Sequence, residues 1–341
     1  MTSLATFIQA SAHNLTGIAD SSVQAIITSP PYYGLRKYEG AQDVDWPAVT
    51  YAPMAGLPPL TVPAMRSPLG NEPTLEAFIG HLVLCLREWR RVLRDDGIAF
   101  VNLGDSYAAY RDGKYNPQTV SNGKQRDMPM SGAPTRNGPL LKAQGIKHKD
   151  LMMVPARFAL AAQADGWWLR SDIIGAKVAP MPESVTDRPT RSHEHIFMLT
   201  KAARYFWDAD GVREPNVTES NYRNKATEKH NGAVLTPIGA GEREWNNPAG
   251  RNMRDVIEWR PSGFSGAHFA TWPEAIPEKL IRAATRPNDV VLDPFSGSGT
   301  TAKVAVRLGR RALGVDIASE YLNEITAQRF GAGVQMELVQ P

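Results

Sequence analysis

A strand, a glycine-rich loop, a helix, a second strand and an acid follow one another in "VVLDPFSGSGTTAKVAVRLGRRALGVDI", residues 290–317. Gly297 and Gly299 carry no Cβ, so the backbone there can approach a ligand closely. The helix opens directly behind them, with its free N–H groups toward the loop. Asp316 closes the next strand, about 20 residues on, where a carboxylate accepts from ribose hydroxyls. Together these features describe a nucleoside-binding βαβ unit. Its position constrains the rest of the chain. A doubly wound nucleotide fold ordinarily begins with such a unit. Here about 40 of the 341 residues follow Thr301, too few to complete a domain. The remaining strands have to come from upstream, so the chain reads as an α/β protein with a permuted order.

Three ligands compete for the loop. ATP is disfavoured, because GxxxxGK[ST] is absent and Lys303 stands in the wrong place. NAD stays open, since Gly297, Gly299 and Ala302 formally match GxGxxA. S-adenosylmethionine is the third, with ribose hydroxyls for Asp316 and no pyrophosphate.

A second strand end is equally distinctive. In "AIITSPPYYGLRKY", residues 25–38, a short apolar strand runs into Pro30 and Pro31. Proline lacks the ladder donor and fixes φ, so the strand stops there. Ser29 brings a hydroxyl, and Tyr32 and Tyr33 bring rings; Tyr33 reads equally well as core. In open α/β sheets ligands bind beyond the carboxyl ends of the strands. Both motifs follow strand ends, so both are expected to face one crevice.

Elsewhere, residues 38–73 are rich in Pro and Gly without periodicity and read as a long loop. Thr74 caps a helix in which Leu75, Phe78, Ile79, Leu82, Leu86, Trp89 and Leu93 recur at helical spacing, with Gly97 as its end. "IAFVNLGDS", "WLRSDIIGAK" and "HEHIFMLTK" read as strands, and "LMMVPARFALAAQADGWW" as a helix running to Gly166. "PEKLIRAATRP" is a short helix with Pro277 near its start, and "SEYLNEITAQRF" a last helix. Residues 107–150 are irregular and lopsided in charge, with Arg111, Lys114, Lys124, Arg126, Arg136, Lys142, Lys147 and Lys149 against Asp112, Asp127 and Asp150. They read either as a solvated loop or as a contact with a phosphate backbone. Residues 202–268 are polar and loop-rich and read as an insertion.

The net charge of +3 permits an anionic partner without demanding one. A single cysteine excludes an intrachain disulfide and a zinc-type Cys cluster. Cys85 lies inside the apolar helix and reads as core, which argues against thiolate chemistry. His193 and His195 in "RSHEHIF" suit structural roles better than a metal site, so no metal is expected. Asp105 in "NLGDSY" either approaches the crevice or caps a loop. No signal peptide or apolar run of membrane-spanning length is visible, so a soluble, cytoplasmic, nucleoid-associated protein with no membrane partner is expected.

With "TSPPYYGL" early and "DPFSGSGTT" late, the chain resembles the β-class amino-methyltransferases of DNA. "ALAAQADGWWLRSDII", "MPESVTDRPTRSHEHIFMLTKAARYFWD" and "HFATWPEAIPEKLIRAAT" resemble that family's intermediate motifs. The resemblance implies a Rossmann-like S-adenosylmethionine-dependent methyltransferase fold with loop-rich insertions. Residues 1–201 would be its catalytic part, 202–268 a target-recognition insertion and 269–341 its cofactor part. It implies that Asp293, Phe295, Gly297, Gly299 and Thr300 line the cofactor site and that Asp316 holds the ribose. Phe269, Ala270 and Pro273 would complete its methionine end. Gly175 departs from the family, which often places a large aromatic there.

The S-P-P-Y form of the motif is more typical of cytosine-N4 enzymes, and D-P-P-Y or N-P-P-Y of adenine-N6 enzymes. Ser29 Oγ and the Pro30 carbonyl would then accept from the target amine, Pro31 would stiffen the turn and Tyr32 would stack on the flipped-out base. Adenine-N6 methylation is the alternative, and methylation of an RNA or protein amine or amide a more remote one. A silent DNA-binding module and a nicotinamide dehydrogenase are the remaining readings. The expected partners are double-stranded DNA and a cognate restriction endonuclease, with the chain as monomer or homodimer.

Overall fold

The computed structural model describes residues 4–34, 43–108, 142, 144–180, 182–216, 247, 249–260, 273–318 and 336–339. The chain divides into two compact units, one of Met1–Trp207 with Asp255–Pro341, the other of Asp208–Arg254. The larger unit is built on a nine-stranded sheet. Its strands are β1 (Ala5–Gln9), β2 (Val23–Thr28), β7 (Leu93–Leu103), β8 (Trp168–Lys177), β9 (His193–Thr200), β10 (Val256–Trp259), β11 (Val290–Asp293), β12 (Arg311–Asp316) and β13 (Met336–Val339). Their order is β10-β8-β9-β7-β2-β11-β12-β1-β13. Every pairing is parallel except those of β9, which runs antiparallel to β7 and β8. Strands β2 and β11 lie side by side, with Ala25 against Val291 and Ile26 against Leu292. That juxtaposition brings the two strand ends singled out above together. β2 is buried at every position, as a strand covered on both faces must be.

Helix α1 (Leu75–Val92) covers one face. Thr74 caps it, its side chain accepting from Ala77 N at 3.1 Å. Leu75, Phe78, Ile79, Leu82, Leu86 and Trp89 are all buried, each contributing on the order of 1.5–3 kcal/mol by leaving water. Trp89 Nε1 donates to Ala12 O at 3.0 Å, so its polar atom is satisfied inside the core. The other α-helices among the described residues are α2 (Val154–Ala164), α3 (Ala275–Ala284) and α4 (Thr300–Arg307).

Three local expectations are corrected. The helix after Thr74 stops at Val92 and not at Gly97. Leu93 is extended and fully buried and already pairs with Val23, so β7 begins without a connecting loop. Gly97 serves that strand, because a Cβ there would lie 2.7 Å from the Leu93 side chain. Residues 38–73 are also not loop throughout. They contain β3 (Val44–Trp46) paired with β6 (Met65–Ser67), and β4 (Val49–Tyr51) paired with β5 (Leu60–Val62). Val44, Trp46, Val49 and Tyr51 alternate inward, a period-2 pattern too short to stand out among prolines. Third, β10 lies inside the expected 202–268 insertion but belongs to the main sheet, paired with β8.

In the smaller unit, Glu214 and Arg251 form a bridge through two backbone bonds of 2.9 Å. Glu214 Oε2 also accepts from Arg254 Nε at 2.7 Å. The final helix expected over "SEYLNEITAQRF" lies outside the described residues.

Candidate active site

The two motifs meet at the carboxyl ends of the parallel strands, where β2 and β11 pair. The Ser29–Tyr32 turn is held from behind. Gly34 N donates to Gly70 O at 2.8 Å, and Gly70 N donates to Glu72 Oε2 at 2.7 Å. Glu72 Oε1 in turn pairs with His81 Nδ1 on α1 at 2.8 Å, both side chains being fully buried. Gly70 has φ 90°, and a Cβ there would lie 2.9 Å from Tyr32 O. Tyr33 is buried against Phe78, centroids 5.4 Å apart, which settles it as core.

Tyr32 is fixed at both ends of its ring. A Cβ at Gly104 would lie 2.6 Å from its Cε2, so only glycine lets the ring rest on the end of β7. Its hydroxyl donates to Glu194 Oε2 at 2.9 Å and accepts from Asn102 Nδ2 at 2.8 Å. Asn102 Nδ2 also reaches Glu194 Oε2 at 2.9 Å and Ser29 Oγ at 3.3 Å. Lys177 Nζ lies 2.6 Å from Glu194 Oε1. Burial pushes the Glu194 pKa up, but the Lys177 charge and hydrogen bond, with those of Asn102 and Tyr32, outweigh it and hold the carboxyl below its usual range.

On the other side of β2, Asp293 is buried at the end of β11. Its Oδ1 accepts from Thr28 Oγ1 at 2.6 Å and from Phe295 N at 3.1 Å. Burial pushes its pKa up to about 6, against the lowering effect of these bonds. The sign of the linkage follows. A carboxyl with a raised folded pKa binds protons more tightly folded than unfolded, so its stability contribution falls as pH rises from 3.8 to about 6 and is level above. An Asp293→Asn variant is therefore expected to gain on the wild type across that window, by about 2–3 kcal/mol. Urea unfolding at fixed pH values checks it, and a pH-independent difference would contradict it.

Gly297 and Gly299 have φ 45° and 73°, a region that glycine enters without strain. Gly299 caps α4, whose first residue, Thr300, is buried. Asp316 Oδ2 accepts from Gly297 N at 2.8 Å and its Oδ1 from Ala318 N at 3.0 Å. A carboxylate offers about four acceptor positions, so this one can brace the loop and still receive hydroxyls. Among the described residues a Cβ at Gly297 would find no atom nearer than 4.0 Å, which leaves the loop backbone room to meet a ligand. The Phe295 ring stands edge-on to Trp89 at 6.0 Å. Backbone open to a ligand, a helix N-terminus and a strand-end acid fit a nucleoside-bearing cofactor.

Pro273 lies just before α3, its carbonyl accepting from Ile276 N at 3.1 Å. Phe269 and Ala270 lie outside the described residues, as do Arg111, Lys114, Lys124, Arg126 and Arg136. Lys147 and Lys149 sit on carboxylates, Asp150 at 3.3 Å and Asp187 at 2.5 Å; Lys142 is exposed. Asp105 is a cap: its Oδ1 accepts from Ser106 N at 2.8 Å and from Val154 N, at the start of α2, at 3.0 Å. Cys85 is fully buried and burial pushes its thiol pKa up, away from thiolate chemistry. His195 Nδ1 pairs with Asp172 at 3.0 Å, and among the described residues no cluster could hold a metal ion. Gly175 pairs with Glu194 across β8 and β9, and a Cβ on it would lie 3.5 Å from Trp259 Nε1. The indole from β10 thus borders the room that Gly175 leaves. Also among the described residues, no helix is long and apolar enough to cross a membrane.

Glu194, Lys177, Asn102 and Gly104 were not singled out from the sequence as site residues. Glu194 stands between the two histidines weighed for a metal, and only the strand order turns it toward Tyr32.

A parallel sheet with one reversed strand, and a glycine-loop βαβ unit beside a rigid proline turn at its carboxyl edge, define an S-adenosylmethionine-dependent methyltransferase fold. The chain belongs to the DNA methylase family, that of the N6 and N4 methyltransferases, whose model matches residues 23–328. It is a DNA methyltransferase, and its cofactor is S-adenosylmethionine. It is 36% identical over 309 residues to the type II methyltransferase M.Cfr9I of Citrobacter freundii, covering 91% of this chain and 82% of that one. Among solved structures it resembles the PvuII DNA methyltransferase (cytosine-N4-specific), with TM-score 0.58 and 16% identity over 97% of this chain and 89% of that one. It also resembles a candidate DNA modification methylase of Thermus thermophilus, solved with S-adenosyl-L-methionine (TM-score 0.54, 21% identity, 98% of each chain).

Proposed function

We propose that the protein methylates the exocyclic N4 amine of a cytosine flipped out of a DNA duplex. The observation that carries this reading is Ser29, a neutral hydroxyl in a stiff Pro-Pro turn, placed by β2 beside the β11 cofactor cradle. Bound S-adenosylmethionine supplies an electrophilic methyl. The chain's own residues do the rest. The lone pair of the amine is delocalised into the ring, and acceptors on its N–H groups localise it. Ser29 Oγ and the Pro30 carbonyl supply them, Pro31 keeps them in place, and the Tyr32 ring stacks on the extruded base. Asp293, Phe295, Gly297, Gly299 and Thr300 line the cofactor cradle, Asp316 takes the ribose, and Phe269, Ala270 and Pro273 complete its methionine end.

The basic segment 107–150 contacts the phosphate backbone, and the 202–268 insertion, within which Asp208–Arg254 forms a compact unit, reads the target site. The type II name of the relative M.Cfr9I supports a place in a restriction–modification system. Adenine-N6 methylation is the second reading, because the family holds both activities and either base presents an amine to Ser29. Incubation with unmethylated genomic DNA and S-adenosylmethionine, digestion to nucleosides and mass spectrometry decides between them. N4-methylcytosine is the expected product, and N6-methyladenine would overturn the assignment of the base.

A further inference from the structure

Ser29 is one end of a chain of hydrogen bonds that crosses the sheet to a half-sequestered ion pair. From Ser29 Oγ it passes to Asn102 Nδ2 and the Tyr32 hydroxyl, then to Glu194 Oε2, whose other oxygen meets Lys177 Nζ at 2.6 Å. The two ends of this network have fixed polarity. A carboxylate only accepts, and an amide NH2 only donates. Asn102 must turn Nδ2 toward Glu194, because its Oδ1 would be repelled there. Tyr32 must send its proton to Glu194. Its oxygen then takes the proton of Asn102 at 2.8 Å and faces the Ser29 hydroxyl across a longer 3.4 Å. With its proton drawn toward Tyr32, Ser29 keeps a lone pair for an incoming N–H. Among the described residues Asn102 Oδ1 is buried with no hydrogen-bond partner, a second acceptor in the same cluster.

We propose that Glu194, paired with Lys177, is a positioning residue of methyl transfer: through Tyr32 and Asn102 it makes Ser29 Oγ an acceptor for the target amine. The proposal rests on the reading of Ser29 given above. It explains how a neutral hydroxyl, which can donate as easily as accept, does the work of an obligate acceptor. A protonated Glu194 would donate to Tyr32 and reverse the chain, so the ion pair with Lys177 is part of the device.

The charged and titratable groups around Glu194 are Lys177 from β8 and Tyr32 from the turn after β2. On its own strand stand His193 and His195, the latter paired with Asp172 of β8, and Arg191 lies just before. Asn102 from β7 adds a neutral donor, and the Lys177 cation lies 5.5 Å from the Trp259 ring centroid of β10. Lys177 is the cation that favours ionised Glu194; its removal leaves burial, which pushes the carboxyl upward, opposed by the Asn102 and Tyr32 bonds alone.

The test uses the full chain, S-adenosylmethionine and duplex DNA that the wild type methylates. Glu194→Gln keeps the shape and removes the fixed polarity. It is expected to lower kcat by about 100-fold, with cofactor Kd and DNA KM within about twofold of wild type. Lys177→Met is expected to move the acid limb of the kcat–pH profile upward by about one to three units. A merely structural role would not move that limb. Wild-type kcat in Glu194→Gln, a loss confined to DNA KM, or a Lys177→Met profile superimposable on the wild type would each overturn the proposal. Ser29→Ala separates the two levels. If it is inactive while Glu194→Gln is fully active, only the positioning role falls. If Ser29→Ala keeps full kcat, the reading of Ser29 falls and this proposal with it.

Discussion

Replacing Ser29 by alanine is expected to lower kcat by at least ~100-fold while S-adenosylmethionine binds within about twofold of its wild-type affinity. The separation follows from the sheet. Ser29 leaves the carboxyl end of β2, whereas the residues proposed to hold the cofactor are carried by β11, α4 and β12. The Ser29 hydroxyl bonds to Asn102 and Tyr32, so its loss leaves the bonds of Asp293 and Asp316 in place. The turn itself is held by Gly70, Glu72 and His81, through bonds that do not involve the hydroxyl. Single-turnover rates with excess enzyme, beside cofactor titration, check both halves. Equal turnover in the variant would remove Ser29 from the chemistry.

The second large effect is expected at Asp316. Its replacement by alanine should weaken S-adenosylmethionine binding by about 10- to 100-fold, the worth of hydrogen bonds to a charged group. Two causes add here. On the proposed assignment the ribose loses its acceptor, and Gly297 N loses the carboxylate that braces the loop at 2.8 Å. Asp316→Asn, which keeps one oxygen, separates them. Burial pushes the Asp316 pKa up, so wild-type affinity should begin to fall on acidification at a pH above the ordinary carboxylate range. Equal cofactor affinity in wild type and Asp316→Ala, by calorimetry or fluorescence quenching, would sink the ribose assignment.

The cradle and the Ser29 network differ in how far their residues stand apart in the chain. The βαβ unit proposed as the cradle was legible because its parts are local: Asp293, Gly297, Gly299 and Asp316 lie within one strand–loop–helix–strand run, where each residue type has a backbone reason. α1 was legible from its spacing, but its end was not. Leu93 fits the helical stripe, and only pairing with Val23 shows that the chain has already become a strand. β1 and β10 were missed for the same reason. "ATFIQ" and "VIEW" are too short to declare themselves, and their partners, β12 and β8, are remote in sequence or hidden behind an insertion.

By itself the sequence determined the fold class, the βαβ unit of the glycine loop and the proline turn, since each is written in contiguous residues whose sterics act locally. Only the tertiary structure decided which strands neighbour β2, and with that the company of Ser29. The reversal of β9 brings Glu194 to the carboxyl edge, β7 brings Asn102 and Gly104, and the end of β8 brings Lys177. These are hydrogen bonds between residues up to 162 positions apart, and strand order, which is set by burial of the whole sheet, is what makes them neighbours.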